Sequence, residues 1–248
     1  MNNKTLAALY AFTLSIFANN CHSQNTNLLE YVTEYQASAN GLAATASRSL
    51  SRIDENSYRL RNSLEASAAG QVLANLNQAS EFIIEGARVV PLNYTYQLNG
   101  LSRANHAIFF NWAAEIALST EGDESWQLQL KEGVMDQLSY QLGMRLALLD
   151  NAEEESTFSF EIIDGDAVET QEYRLMGKEI LSTPLGELNT VKLERVREAS
   201  DERETAIWFA VDWNFLLTRI EQLNSAGLRI VLELKSAEID GNTVRGIN

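Results

Sequence analysis

Apolar and polar side chains alternate with period two along most of the chain. Tyr58, Leu60 and Leu64 alternate with Arg59, Arg61 and the pair Asn62-Ser63, and Trp126, Leu128 and Leu130 with Gln127 and Gln129. Phe158, Phe160 and Ile162 alternate with Ser159 and Glu161. Val191, Leu193 and Val196 sit among Lys192, Glu194, Arg195 and Arg197, and Ile230, Leu232 and Leu234 face away from Arg229, Val231, Glu233 and Lys235. Successive side chains of a strand point to opposite faces, so each run predicts a strand with one covered and one wet face, as in antiparallel sheets. Turn signals separate the runs: Asn40-Gly41, Asn99-Gly100, Glu121-Gly122-Asp123, Asp164-Gly165-Asp166, Pro184-Leu185-Gly186, Ala226-Gly227 and Asp240-Gly241-Asn242. Asn-Gly is the strongest two-residue hairpin signal, because both positions tolerate positive φ. The wide spacing of these signals predicts long strands. Long antiparallel strands joined by short turns form a meander that curls towards a barrel.

One segment departs from this period. Met135, Leu138, Leu142, Leu146 and Leu149 follow helical spacing, with Asp136 near the start and Arg145 towards the end, as the helix dipole prefers. The pattern predicts an amphipathic helix over 134–149 whose apolar stripe covers the concave face of the sheet. The stretch 38–47, Ser-Ala-Asn-Gly-Leu-Ala-Ala-Thr-Ala-Ser, reads as a hairpin of small side chains. It also suits a strand kept low so that a helix or ligand can approach its backbone. No composition shift marks a second domain, so 24–248 reads as a single β-rich domain.

The chain opens with Lys4, then an apolar run from Leu6 to Phe17, then small and polar residues to Ser23. That order is a secretory signal peptide, and the run is shorter than the ~20 residues a membrane-spanning helix needs. Cleavage after Ser23 fits the small residues at Cys21 and Ser23; acylation of Cys21 is the alternative, against which stand Asn19 and Asn20 just before it. The expected location is the periplasm, with no transmembrane span in the mature chain. Cleavage leaves His106 as the sole histidine and no cysteine, so stability must come from the core rather than from disulfides.

Charge removes further classes. With 19 lysines and arginines against 34 aspartates and glutamates, the net charge is -15. Such a chain repels phosphate backbones and is not drawn to anionic membranes by a polybasic patch. No GxGxxG, GxxxxGK[ST], HExxH or CxxC occurs. Gly100-Leu101-Ser102-Arg103-Ala104 begins like a nucleophile elbow but lacks its last glycine. A serine triad could use only His106, which lies in a predicted strand and reads as structural. Asp164-Gly165-Asp166 fails as a calcium loop, since Val168 and Glu169 fall at its fifth and sixth positions; it reads as a hairpin, and Glu153-Glu154-Glu155 as a solvated loop. No catalytic residue, metal ligand or cofactor is therefore expected.

Aromatic clusters are more suggestive. Phe109, Phe110 and Trp112 form one, and Trp208, Phe209, Trp213 and Phe215 another. Phe110, Trp112, Trp208 and Phe209 are candidates to line an apolar ligand site; as core they need no ligand.

At these residues the chain resembles the exported bacterial family called domain of unknown function 3108, from about Tyr58 to Leu234. Pro91-Leu92-Asn93-Tyr94-Thr95-Tyr96, Arg103 with Phe110-Asn111-Trp112, and Asp136-Gln137-Leu138-Ser139 carry the resemblance. So do Thr183–Val191 with Arg195 and, most specifically, Thr205–Asp212 with Arg219. One departure is that Leu217 and Thr218 stand where the family often has a proline before the Arg219 position. The resemblance implies a curved antiparallel sheet partly wrapped around a helix, similar to periplasmic carriers of lipids and lipoproteins. It carries over no catalytic residue. It marks Asp136, Arg195, Asp212 and Arg219 as polar candidates, beside a structural reading as a helix-start acid and cross-strand ion pairs.

The expectation is thus a mainly β protein, an open or half barrel of lipoprotein-carrier type with one helix. It is expected to be a non-enzymatic envelope protein that binds a lipid, an acyl chain or a lipoprotein segment. A structural or protein-interaction module without a ligand cavity is the alternative, and a carboxylate-based hydrolase of envelope polymers a third reading.

Overall fold

The computed structural model describes residues 28–39, 42–100, 102–151, 156–196, 203–224, 227 and 229–247. The segment 1–23 read as a leader, with Cys21, the expected turn at Asn40-Gly41, Ala226, and Glu153-Glu154-Glu155 lie outside the described residues. The strands are β1 (Tyr31–Ala39), β2 (Leu42–Arg52), β3 (Ser57–Ala68), β4 (Gln71–Glu85), β5 (Arg88–Gly100), β6 (Ala104–Asn111), β7 (Ile116–Glu121) and β8 (Glu124–Gln129). After the two-residue β9 (Val134–Met135) comes helix α1 (Ser139–Asn151). Then follow β10 (Thr157–Asp164), β11 (Ala167–Thr183), β12 (Gly186–Arg195), β13 (Arg203–Ala210), β14 (Leu216–Asn224), β15 (Arg229–Ile239) and β16 (Asn242–Thr243).

All these strands join one 16-stranded sheet in the order β8-β7-β6-β5-β4-β3-β2-β1-β15-β14-β13-β12-β11-β10-β9, with β16 on β15. Every pairing is antiparallel except β9 with β10. The sheet is open and curved rather than closed into a barrel. Its two edges nevertheless lie close together. Residues 130–133 alone connect edge strand β8 to edge strand β9, a gap that extended chain can span by at most about 19 Å. Ser119 on β7 donates from Oγ to the Gly165 carbonyl of the β10–β11 turn at 2.6 Å across the same seam. Side chains, not a strand ladder, thus draw the edges together.

Sequence turn signals fall where expected at Gly122-Asp123, Gly165-Asp166, Pro184-Leu185 and Asp240-Gly241. Two further hairpins turn at Ala69-Gly70 and Gly86-Ala87. Gly100, the supposed start of an elbow, ends β5 with φ +128. A Cβ there would stand 2.2 Å from the Leu73 carbonyl oxygen on β4. Gly100→Ala is therefore expected to destabilise the protein by about 2 kcal/mol through backbone strain, seen as a lower urea midpoint with an unchanged m-value; an unchanged midpoint would refute the close approach.

The helix is shorter than its sequence pattern. Val134 and Met135 leave it to pair with Glu161 and Ile162 as β9. The predicted one-sided stripe also gives way to near-complete enclosure, because the curved sheet surrounds the helix. Met144, Arg145 and Leu148 are buried along with Leu142 and Leu146, and only from Leu149 onward is the helix exposed. Arg145 turns inward, away from the C-terminal role its position suggested, and donates from Nε to the Asn214 carbonyl at 2.7 Å.

Candidate functional site

Helix α1 crosses the concave face at a level set by its polar contacts. Asp136 reaches Ser80 on β4, Gln141 meets Arg48 on β2, and Tyr140 meets Tyr173 on β11. On the Arg88 side of the helix lies the packed core of Phe82, Ile84, Val89, Phe110 and Leu130. A groove of about 600 Å³ opens there at the seam, between Trp112, Val89, Leu130, Met135 and Phe160.

The side of the sheet towards Gly100 is different. Cross-strand register places Tyr96, Gln78, Asn62, Arg48 and Thr33 in one row across β5 to β1. The next row is Leu98, Leu76, Leu64, Ala46 and Tyr35. The one after it is Ala74, Ala66, Ala44 and Ala37, continuing through Leu232, Ile220, Ile207 and Leu193. Leu64, Leu76, Leu98, Ala44, Ala66 and Ala74 remain partly exposed. A polar row thus borders two apolar rows that are buried at Tyr35, Ala46, Ala37, Ile207 and Leu193 but only partly buried across β3 to β5. The small-residue stretch of the sequence supplies part of them.

Asp136 is fully buried at the start of α1. Its Oδ1 accepts the backbone N–H of Leu138 and of Ser139, both at 2.8 Å, and its Oδ2 accepts the Ser80 hydroxyl at 2.7 Å. Ser139 Oγ in turn accepts the Asp136 N–H at 3.1 Å, a reciprocal cap. Burial pushes the carboxyl above its usual range, against the pull of these hydrogen bonds. All its acceptors face protein donors, so Asp136 is a cap.

The other sequence candidates do not converge on it. Phe110 and Phe209 are core residues. Trp112 stacks on Phe110 with centroids 6.0 Å apart, donates from Nε1 to the Pro91 carbonyl at 2.6 Å, and forms a wall of the seam groove. Trp208 lies on the opposite, outer face, paired in register with Arg219 and Lys192. The Arg219 guanidinium sits 5.3 Å and the Lys192 ammonium 5.2 Å from its ring centre, and its Nε1 donates to Glu179. Arg219 also contacts Glu221 at 3.1 Å and Glu233 at 3.8 Å. Asp212 accepts from Asn189 Nδ2 at 2.7 Å in the short 3-10 turn 211–213, and Arg195 stands opposite Tyr173 at the end of β12.

His106 and Ser119 are 3.1 Å apart. Ser119 gives its one proton to the Gly165 carbonyl, so His106 Nε2 must donate to Ser119 Oγ. A nucleophile–base pair needs the reverse direction, and the contact serves the seam.

Arg48 and Arg145 carry no motif, yet both are only 4% exposed on the concave side. Arg48 Nη1 donates to Gln141 Oε1 at 2.7 Å, and the Arg145 guanidinium lies 5.4 Å from the Tyr31 ring centre. Arg48 Nε and Arg145 Nη1 are buried without an acceptor; such a donor costs about 1–3 kcal/mol, more when charged. Burial first, and the Arg48 charge with it, hold Arg145 below the usual guanidinium range.

The family profile described as "Protein of unknown function (DUF3108)" matches residues 34–235. The chain belongs to this family. Among solved structures, the DUF3108 chain is similar to a beta-barrel-like protein of domain of unknown function DUF1849 from Brucella abortus, with TM-score 0.55 and 6% identity over 86% of this chain and 98% of that one. A YmcC-like-fold protein from Bacteroides fragilis matches at TM-score 0.36 and 12% identity over 86% of this chain and 97% of that one. No curated protein matches. The first likeness shows the fold alone. Among the described residues, no helix is long and apolar enough to cross a membrane.

Proposed function

We propose that this DUF3108 protein is a non-enzymatic periplasmic envelope protein that holds an apolar ligand, a lipid or acyl chain, on the concave face of its half-barrel. The observation that carries the reading is the partly exposed stretch of the two apolar rows on β2 to β5. Leu64, Leu76 and Leu98 next to Ala44, Ala66 and Ala74 keep apolar surface partly exposed, with alanines where a packed interior would place large side chains. Native mass spectrometry of protein purified from the periplasm without detergent, followed by organic extraction, tests it. A bound mass with an acyl signature is expected, and Ala66→Trp, which fills the slot, should lose most of it while keeping the fold. A bare mass in the unsubstituted protein refutes the reading.

One observation favours a second reading, a protein-interaction module. Phe109 is 54% and Leu118 42% exposed as a cross-strand pair on the outer face beside edge strand β8. A bare mass together with partners that survive substitution of the inner-face residues would support it.

A further inference from the structure

We propose that Arg48 and Arg145 form an oxyanion site on the concave face, which holds the acidic head of an acyl-chain ligand. The inference rests on the ligand-binding reading above and adds the chemistry of the head group.

The chain has 34 acidic residues. It pairs the more accessible Arg59, Arg88 and Arg219 with Glu81, Glu132 and Glu221. Among the described residues it puts no carboxylate on Arg48 or Arg145, the two that are most buried. Two guanidiniums of like charge, both out of water and each with an idle donor, favour an anion between or beside them. Burial and the Arg48 charge both act on Arg145, whose guanidinium is held below its usual range.

The geometry says where an oxyanion would enter. Gln141 and Arg145 are four residues apart on α1, so they project from the same side of the helix. Gln141 Oε1 already accepts from Arg48, and a carboxylate or phosphate oxygen would displace this neutral acceptor. Guanidinium prefers such planar, charge-assisted pairs over an amide. Arg48 belongs to the polar row that borders the apolar rows, so a head held there sends its tail along the partly exposed side chains. Free phosphate would satisfy the arginines but leave those rows bare.

The test uses delipidated full-length mature protein with oleate, its methyl ester and inorganic phosphate, each read by native mass spectrometry and by the shift in Tm. Oleate should bind at least about tenfold more tightly than methyl oleate. Arg48→Met and Arg145→Met should each reduce that preference to below about threefold, with oleate losing more affinity than its ester. Arg48→Lys, which keeps the charge, should retain more of the preference than Arg48→Met. The acid-versus-ester comparison in the unsubstituted protein decides the matter even where a variant fails to fold. Equal binding of acid and ester overturns the inference and leaves the acyl-ligand reading in place. Stabilisation by phosphate with no uptake of either lipid overturns both, and points to a free-anion site.

Discussion

Asp136→Ala is expected to lower stability by about 4 kcal/mol, more than loss of an ordinary exposed cap. The substitution removes one acceptor oxygen from two backbone N–H groups and the other from the Ser80 hydroxyl. All three donors stay in the protein interior, where water cannot replace the carboxylate. Urea unfolding measures the loss, and hydrogen exchange locates it: the amides of α1 should lose protection before those of β3 and β4. A cost under about 1 kcal/mol would show that Asp136 does not anchor the helix. Asp136→Asn keeps one acceptor for the helix N–H groups, and Ser80 can turn its lone pair towards the new amide. It should cost much less. It also isolates a pH effect. Because burial raises the Asp136 carboxyl in the folded protein, the native state holds this proton more tightly than the unfolded chain. The associated stability is full below the ordinary carboxylate value and falls as pH rises through the raised one. Asp136→Asn should flatten that decline, so a slope identical to the parent's would contradict the assigned direction.

The origin of this site in the sequence shows what period-two reading captures and where it stops. The long strands were legible because alternation survives over many residues, and four of the turns because Gly and Pro mark them; Asn99-Gly100, read as a turn, instead pairs with Asn75 and Ala74 as the end of β5. Hairpins at Ala69-Gly70 and Gly86-Ala87 were missed because each pairs a glycine with an alanine, which carries no turn signal of its own. The helix was legible from its apolar spacing, but its first predicted residues were not helical. Val134 and Met135 suit either period, and the sheet edge at β10 claims them. Enclosure of nearly the whole helix is a property of the curved sheet and has no local signature.

The candidate site was legible only in part. Trp208 and Phe209 are adjacent in a strand, as are Phe109 and Phe110, and adjacent strand residues must face opposite ways. An aromatic cluster in a strand therefore cannot line one site as a block. Phe110 and Phe209 took the interior and Phe109 and Trp208 the outer face. The same rule would have found Arg48, and the helical period Arg145. Arg48 occupies the inward phase set by Ala44, Ala46 and Leu50, and Arg145 lies between Leu142 and Leu146. A charge in an apolar phase is the informative exception.

Trp208→Ala is expected to cost about 4 kcal/mol of stability and to leave ligand retention intact. The indole is 7% exposed although it lies on the outer face, because Lys192 and Arg219 cover its ring and Glu179 takes its N–H. Truncation removes a large buried ring and two cation–π contacts at once, and it leaves Glu179 without its indole donor. Arg219 keeps Glu221 and Glu233, so the ion network persists around a hole it cannot fill. Trp208→Phe restores the ring without the N–H and should recover more than half of the loss. The concave rows lie on the other side of the sheet, so the bound acyl mass per folded molecule should match that of the parent. The opposite pattern, unchanged urea stability with a lost bound mass, would move the ligand to the outer face. The contrast with Ala66→Trp, which should keep stability and lose the ligand, then decides which face of the sheet performs the binding.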